Sequence, residues 1–376
     1  MRAVGGSSDT EQEFGYGTEK NNSGLLPGYT QGEVLHLANP CVPTMARSSE
    51  PTYRTRFGAC YTGDSLEILP KALKPGSVDL IVTSPPFALR RKKEYGNVEA
   101  EHYVEWFLQF GRLFHALLKP KGSLVIDIGG SWNPGQPTRS LYQYELLIEL
   151  CRMPGHRFQL AEEFFWYNPA RLPTPAEWVT VRRIRVKDAV NCVWWLVKDP
   201  FPKADNWKVL LPYSESMQEL LRRGYKPKLR PSGHDISSKF NRDNKGSIPP
   251  NLLQIANTES NSWYLRRCRE TGTRPNPARF PAALPEFFIR FLTDPSDLVV
   301  DPFAGSNVTG AVAERLGRRW MAVELAEEYV KGSTFRFEKQ GLDGILTSNH
   351  VTLNGKRKRK RQPPSLPLFE SSRPKG

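Results

Sequence analysis

The chain has 376 residues, 39% of them hydrophobic, and carries a formal charge of +14 at pH 7. That length suits one large α/β domain with a smaller insert, and no run of roughly 18 apolar residues is available to span a bilayer. The five cysteines show no CxxC spacing, so neither a metal site nor a disulfide framework is expected, and a reducing, cytoplasmic compartment fits them.

Residues 1–52 are rich in Gly, Ser, Thr, Asn and Glu without periodicity, and read as a disordered leader lacking a signal-peptide pattern. Strands and helices then alternate. Val78–Thr83 is a short apolar run of the buried parallel type. An amphipathic stretch, Tyr103–Leu118, is predicted to be a helix that stops at Lys119-Pro120-Lys121-Gly122. Leu124–Ile128 is a second buried strand, and a helix follows over Ser140–Cys151. Glu162–Tyr167 and Val190–Val197 read as strands. Trp194 and Trp195 in the latter are expected to pack the sheet. The stretch 199–262 breaks the rhythm with many prolines and polar residues, and reads as an irregular insert. Leu284–Leu292 is helical, Leu298–Val300 a strand, Val308–Leu316 a helix and Trp320–Glu324 a strand. Residues 341–376 form a disordered basic tail with the run Lys356–Arg361, which reads as solvated unless a eukaryotic host uses it as a nuclear address. Such alternation predicts a doubly wound, mostly parallel sheet. The basic balance suits a polyanion such as nucleic acid, and equally a solvated Lys/Arg surface.

Two motifs carry chemistry. Asp301-Pro302-Phe303-Ala304-Gly305-Ser306 sits at a strand-to-helix turn, where a glycine admits a ligand close to the backbone. Glu324 closes the next strand, a position suited to accepting hydrogen bonds from ribose hydroxyls. The pair argues for an adenosine-containing cofactor. Thr83-Ser84-Pro85-Pro86-Phe87 ends the strand Val78–Thr83. Its prolines fix the turn, and the Ser84 hydroxyl and Pro85 carbonyl are neutral acceptors for a substrate amine. Phe87 can stack on a base. A plainer reading of each remains: Asp64 as a helix N-cap, Glu324 as a surface carboxylate, the prolines as a strand cap.

Together these motifs resemble the amino-methyltransferases of restriction–modification systems, in the permuted order with the catalytic motif first and the cofactor motif last. The serine form of the SPP-aromatic motif resembles the cytosine-N4-specific members, and longer strings such as WYNPARLPTPAEWV, LRPSGHDIS and PARFP resemble the PvuII-type branch. The resemblance covers about residues 55–335. It implies a seven-stranded S-adenosylmethionine-dependent methyltransferase sheet with a target-recognition insert. Residues 53–198 would be the catalytic half, 199–262 the insert and 263–340 the cofactor half. Ser84, Pro85, Pro86 and Phe87 would form the catalytic pocket, and Trp166 or Tyr167, which alternate across their strand, would wall the base. Asp64, Phe280, Asp301, Phe303, Gly305, Ser306 and Glu324 would hold S-adenosylmethionine. Two positions depart from the family pattern: Asn307 stands where glycine is usual, and Asn276 where histidine is frequent.

The function implied is methylation of the N4 amine of cytosine in double-stranded DNA by base flipping, at the palindrome CAGCTG. The enzyme would act as a monomer, beside a cognate restriction endonuclease with which it forms no stable complex. Arg230, His234, Lys239, Arg242 and Lys245 are the expected DNA contacts. No cysteine follows a proline, which disfavours methylation at cytosine C5. An adenine-N6 enzyme, an RNA or protein-glutamine methyltransferase and a non-catalytic DNA-binding protein are the rival readings.

Overall fold

The computed structural model describes residues 50–87, 100–224, 242–258 and 262–347. Its sheet is built outward from β3 (Val78–Thr83), six residues that are all buried, as a strand covered on both faces must be. β4 (Leu118–Ile128) lies parallel to it on one side and β8 (Leu298–Asp301) on the other. β9 (Arg319–Glu324) and β2 (Gly58–Thr62) continue the parallel set beyond β8. Beyond β4 come β6 (Val190–Val197) and β5 (Gln159–Tyr167), an antiparallel hairpin.

The full order is β1-β2-β9-β8-β3-β4-β6-β5-β7, nine strands rather than the seven expected. The two edges account for the difference. β1 (Tyr53–Arg54) pairs antiparallel with β2, and β7 (Leu252–Gln254) pairs parallel with β5. Segments of two and three residues are too short to show an alternating pattern. β7 lies inside the stretch read as irregular, and Leu253 and Ile255 there are buried in the core. That stretch also holds a short helix, α4 (Glu215–Arg223).

Helices cover both faces. On one, α1 (Ser65–Ala72), α2 (Ala100–Leu117) and α3 (Tyr142–Arg152) pack over the strands. α2 contributes Tyr103, Phe107, Phe110, Phe114 and Leu117, a stripe at helical spacing. The other face is covered by α6 (Ala283–Leu292) and α7 (Val308–Arg315). α5 (Trp263–Thr271), α8 (Glu327–Ser333) and α9 (Lys339–Thr347) complete the described helices.

Lys119-Pro120-Lys121-Gly122 ends α2 as expected, but does so inside a strand. Val78 pairs with Leu118 and Leu80 with Ser123, so these residues bulge out of β4. Trp194 and Trp195 are both buried in the sheet, and the Trp195 indole donates to Ser123 Oγ at 2.9 Å.

Candidate active site

A doubly wound sheet opens a crevice beyond the carboxyl ends of its strands, where successive crossovers leave in opposite directions. Here that point lies between β8 and β3. The chain passes from β3 through α2 to β4 on one side, and from β8 through α7 to β9 on the other. The two motifs, more than two hundred residues apart in sequence, therefore end on neighbouring strands.

Asp301 joins them. Its Oδ1 accepts from Thr83 Oγ1 at 2.8 Å and from the Phe303 N–H at 3.2 Å; its Oδ2 accepts from Thr309 Oγ1 at 2.7 Å. Burial pushes this carboxyl up to about 6. Glu324 closes the turn from the next strand: it accepts from the Gly305 N–H at 2.7 Å and the Ala326 N–H at 2.9 Å. Its carboxyl is also raised, first by burial. Asp64 caps α1, accepting from the Leu66 N–H at 2.8 Å, while Gly63 N–H donates to the Glu324 carbonyl at 2.9 Å and Ser65 Oγ to the Pro302 carbonyl at 2.5 Å. Three loops are thereby stapled into one rim.

Ser306 is buried and held by Arg336, whose Nε donates to its carbonyl at 2.8 Å and Nη2 to its Oγ at 2.9 Å. Phe303 turns under α2, its ring centroid 4.8 Å from that of Phe110. Phe280 lies on the opposite face, around a narrow space shared with Thr83, Asp127 and Leu284.

The two unusual asparagines have structural roles. Asn307 adopts a left-handed conformation, φ 55°, which asparagine tolerates better than most residues. Its side chain caps α7 through the Gly310 N–H at 3.0 Å and donates to Tyr53 Oη at 2.9 Å. Asn307→Ala removes the cap and retains the strain, so chemical denaturation should show a loss of about 2 kcal/mol. Asn276 is buried against Gly305, where any Cβ would overlap its amide.

At the end of β3, Ser84 Oγ donates to Asp127 Oδ2 at 3.1 Å. Asn191 Nδ2 donates to Asp127 Oδ1 at 3.1 Å, and Arg171 Nη1 to Asn191 Oδ1 at 2.8 Å. Asp127 was not among the expected site residues. Its signal is the lone carboxylate in the apolar strand LVIDI, since a buried charge demands partners. Burial pushes it up to about 6, against the opposing pull of Asn191 and Ser84. Phe87 packs on Gly129, where a Cβ would approach its ring to 2.5 Å. Trp166 pairs in register with Asn191 and so shares its face; its ring is buried and its Nε1 donates to the Ile255 carbonyl at 2.8 Å. Tyr167 points to the other face.

A family model described as DNA methylase matches residues 78–335, well over half of the chain. The chain belongs to this DNA methylase family. It is 54% identical over 306 residues to the Type II methyltransferase M.PvuII of Proteus hauseri, covering 81% of this chain and 89% of that protein. The solved PvuII DNA methyltransferase, described as cytosine-N4-specific, superposes with a TM-score of 0.63 at 46% identity, covering 80% of this chain and 94% of that one. The DNA adenine methyltransferase YhdJ of Escherichia coli (strain K12) is 26% identical over 298 residues, covering 76% of this chain and 85% of that protein.

For this DNA methylase, two of the five expected DNA contacts are described. Arg242 is exposed, and Lys245 is exposed but paired with Asp243 Oδ2 at 3.0 Å. Arg230, His234 and Lys239 lie outside the described residues. No helix among the described residues is long and apolar enough to cross a membrane.

Proposed function

We propose that this DNA methylase methylates the exocyclic N4 amine of cytosine in duplex DNA, as the modification enzyme of a restriction–modification system. The observation that carries this reading is Ser84, held by buried Asp127 at the end of β3 beside the glycine turn of Asp301–Ser306. The resemblance to PvuII-type enzymes implies the palindrome CAGCTG as the target. The enzyme would work as a monomer in the cytoplasm, beside an endonuclease that reads the same site.

The crevice suits S-adenosylmethionine: a glycine turn, a half-buried carboxylate and an aromatic meet at the strand ends. Asp64, Phe280, Phe303, Gly305 and Glu324 would hold it, with Asp301 and Ser306 shaping the turn from beneath. When bound, the cofactor supplies an activated methyl group. The chain supplies position. A cytosine amine is conjugated to its ring and is a poor nucleophile. The base must first leave the duplex stack, at a loss of a few kcal/mol of pairing and stacking. Phe87 and Trp166 would hold its ring. Ser84 Oγ, with its own hydrogen committed to Asp127, offers lone pairs to one amine hydrogen, and the Pro85 carbonyl accepts the other. Acceptors placed this way favour a tetrahedral nitrogen with a free lone pair.

Incubation with unmethylated plasmid and S-adenosylmethionine, followed by nucleoside analysis and base-resolution mapping, tests the reading. N4-methylcytosine at CAGCTG is expected; N6-methyladenine would assign the enzyme to the adenine branch.

Asp127 makes the rate depend on pH. Both of its partners donate to it, so the working form is the carboxylate. Methyl transfer in single-turnover experiments should therefore fall as pH drops through about 6, where burial has placed this group. Asp127→Asn should remove that inflection and slow transfer above about pH 6, where the wild-type group is ionised. Folding stability moves the other way. The folded chain binds this proton more tightly than the unfolded chain, so the contribution favours folding at low pH. It is lost as pH rises from the ordinary carboxylate range through about 6.

A further inference from the structure

Apart from Arg171, which anchors Asn191, the connection between β5 and β6 has no role in the site so far. Tyr167 pairs with Val190, and Cys192 with Ile128, so residues 168–189 emerge at the same end of the sheet as Ser84 and Asp127. The connection is tied internally by backbone hydrogen bonds. The Trp178 carbonyl accepts from the Ile184 and Arg185 N–H groups, and the Thr174 carbonyl from that of Asp188. Arg185 lies over the Trp132 ring at 3.9 Å and Arg139 over the same ring at 4.8 Å, while Arg139 pairs with Asp188 at 2.5 Å. The connection is thus clasped to the loop that follows β4.

What it presents outward is unusual for a surface tied down in this way. Val181, Ile184 and Val186 are 68%, 60% and 86% exposed, and Leu172 is 75% exposed. Arg182, Arg183 and Lys187 stand exposed among them, Arg182 paired with Glu177 at 2.8 Å and the Lys187 Nζ donating to the Pro169 and Arg171 carbonyls at 3.2 Å. The connection holds five cations against two carboxylates, Glu177 and Asp188. Rigid aliphatic side chains left in water are unfavourable unless a partner covers them. The excess of cations selects a polyanion. Any duplex that delivers a base to Ser84 must lie across this end of the sheet.

We propose that residues 168–189 form a DNA clamp separate from the 199–262 stretch. Arg182, Arg183 and Lys187 engage phosphates, and Val181, Ile184 and Val186 lie against the groove beside the extruded nucleotide. Apolar wedges of this kind support duplexes at sites of lost stacking. The inference rests on the DNA methylase reading, deepening it by naming the surface that grips the substrate.

The test uses the full chain and a 30-base-pair CAGCTG duplex as probe, with affinity read by fluorescence anisotropy at two salt concentrations. Arg182→Ala/Arg183→Ala should weaken binding and lower the salt slope by about two. Val181→Ser/Ile184→Ser/Val186→Ser should weaken binding about tenfold or more with the slope unchanged. Both should keep the wild-type melting temperature and S-adenosylmethionine affinity. Should the triple variant melt early, Arg183→Glu, at an exposed position with no ion pair among the described residues, decides by a loss of about tenfold or more. Wild-type affinity and slope in folded variants overturn the clamp. Because binding is read without catalysis, a wild-type enzyme that makes no N4-methylcytosine would refute the proposed function and leave the clamp to be judged on these affinities.

Discussion

Ser84→Ala should bind S-adenosylmethionine normally and lose most methyl transfer, about 100-fold or more in single turnover. Among the described residues the Ser84 side chain is hydrogen-bonded to Asp127, and the Gly305 N–H is held separately by Glu324. Its removal leaves the cofactor rim intact. What disappears is the acceptor that draws an amine hydrogen as the nitrogen becomes tetrahedral, an interaction that gains strength in the transition state. The loss should therefore appear in the chemical step and hardly at all in DNA affinity. Rapid-quench measurement with enzyme in excess of DNA isolates that step. An unchanged rate would mean that Ser84 is only part of a strand cap and that the amine is received elsewhere.

Gly305→Val should abolish measurable cofactor binding. Two independent features forbid the substitution. Gly305 has φ +54°, a left-handed conformation that a β-branched residue adopts only under strain. A Cβ there would also strike the buried Asn276 amide. The turn must rearrange, which breaks the 2.7 Å bond from the Gly305 N–H to Glu324. Strain of about 2–3 kcal/mol corresponds to a loss near 100-fold in cofactor affinity. Calorimetry should show no S-adenosylmethionine binding while DNA affinity stays within about threefold, because β3 and β4 separate the strand that leads into this turn from the β5–β6 hairpin. Normal cofactor affinity would place the binding site away from this turn.

Much of this site was legible before the structure. Thr83–Phe87 and Asp301–Ser306 announce themselves because proline and glycine restrict what a turn can be. Their meeting on adjacent strands follows from the alternation of strands and helices. What the sequence concealed was which atoms are already engaged. The family resemblance implied cofactor contacts for Asp301, Ser306 and Glu324, yet each also holds the protein together, through Thr83, Arg336 and the Gly305 N–H respectively. Asp64 is an N-cap, the plainer of its two readings, and that role leaves its second carboxylate oxygen for a ligand. Asp127 could have been found from its lone charge within an apolar strand, whereas Asn191 and Arg171, which anchor it, come from distant segments that no local pattern joins. The edge strands escaped notice because pairing, not periodicity, defines them.

The junction of β3 with β8 also bears on when the enzyme comes into being. Only Leu80 with Val299 and Ile81 with Val300 pair across it, and the Thr83–Asp301 bond there spans 218 residues. Closing so long a loop costs about 5 kcal/mol in chain entropy before any contact repays it. β3, β4, β5 and β6 are joined by shorter connections and can pair first, with the cofactor rim arriving last. A chain still being synthesised holds Ser84 and Asp127 but has no turn to seat a methyl donor. Contact order therefore places the docking of β8 on β3, and with it the joining of the two motifs, after the pairing of β3 through β6.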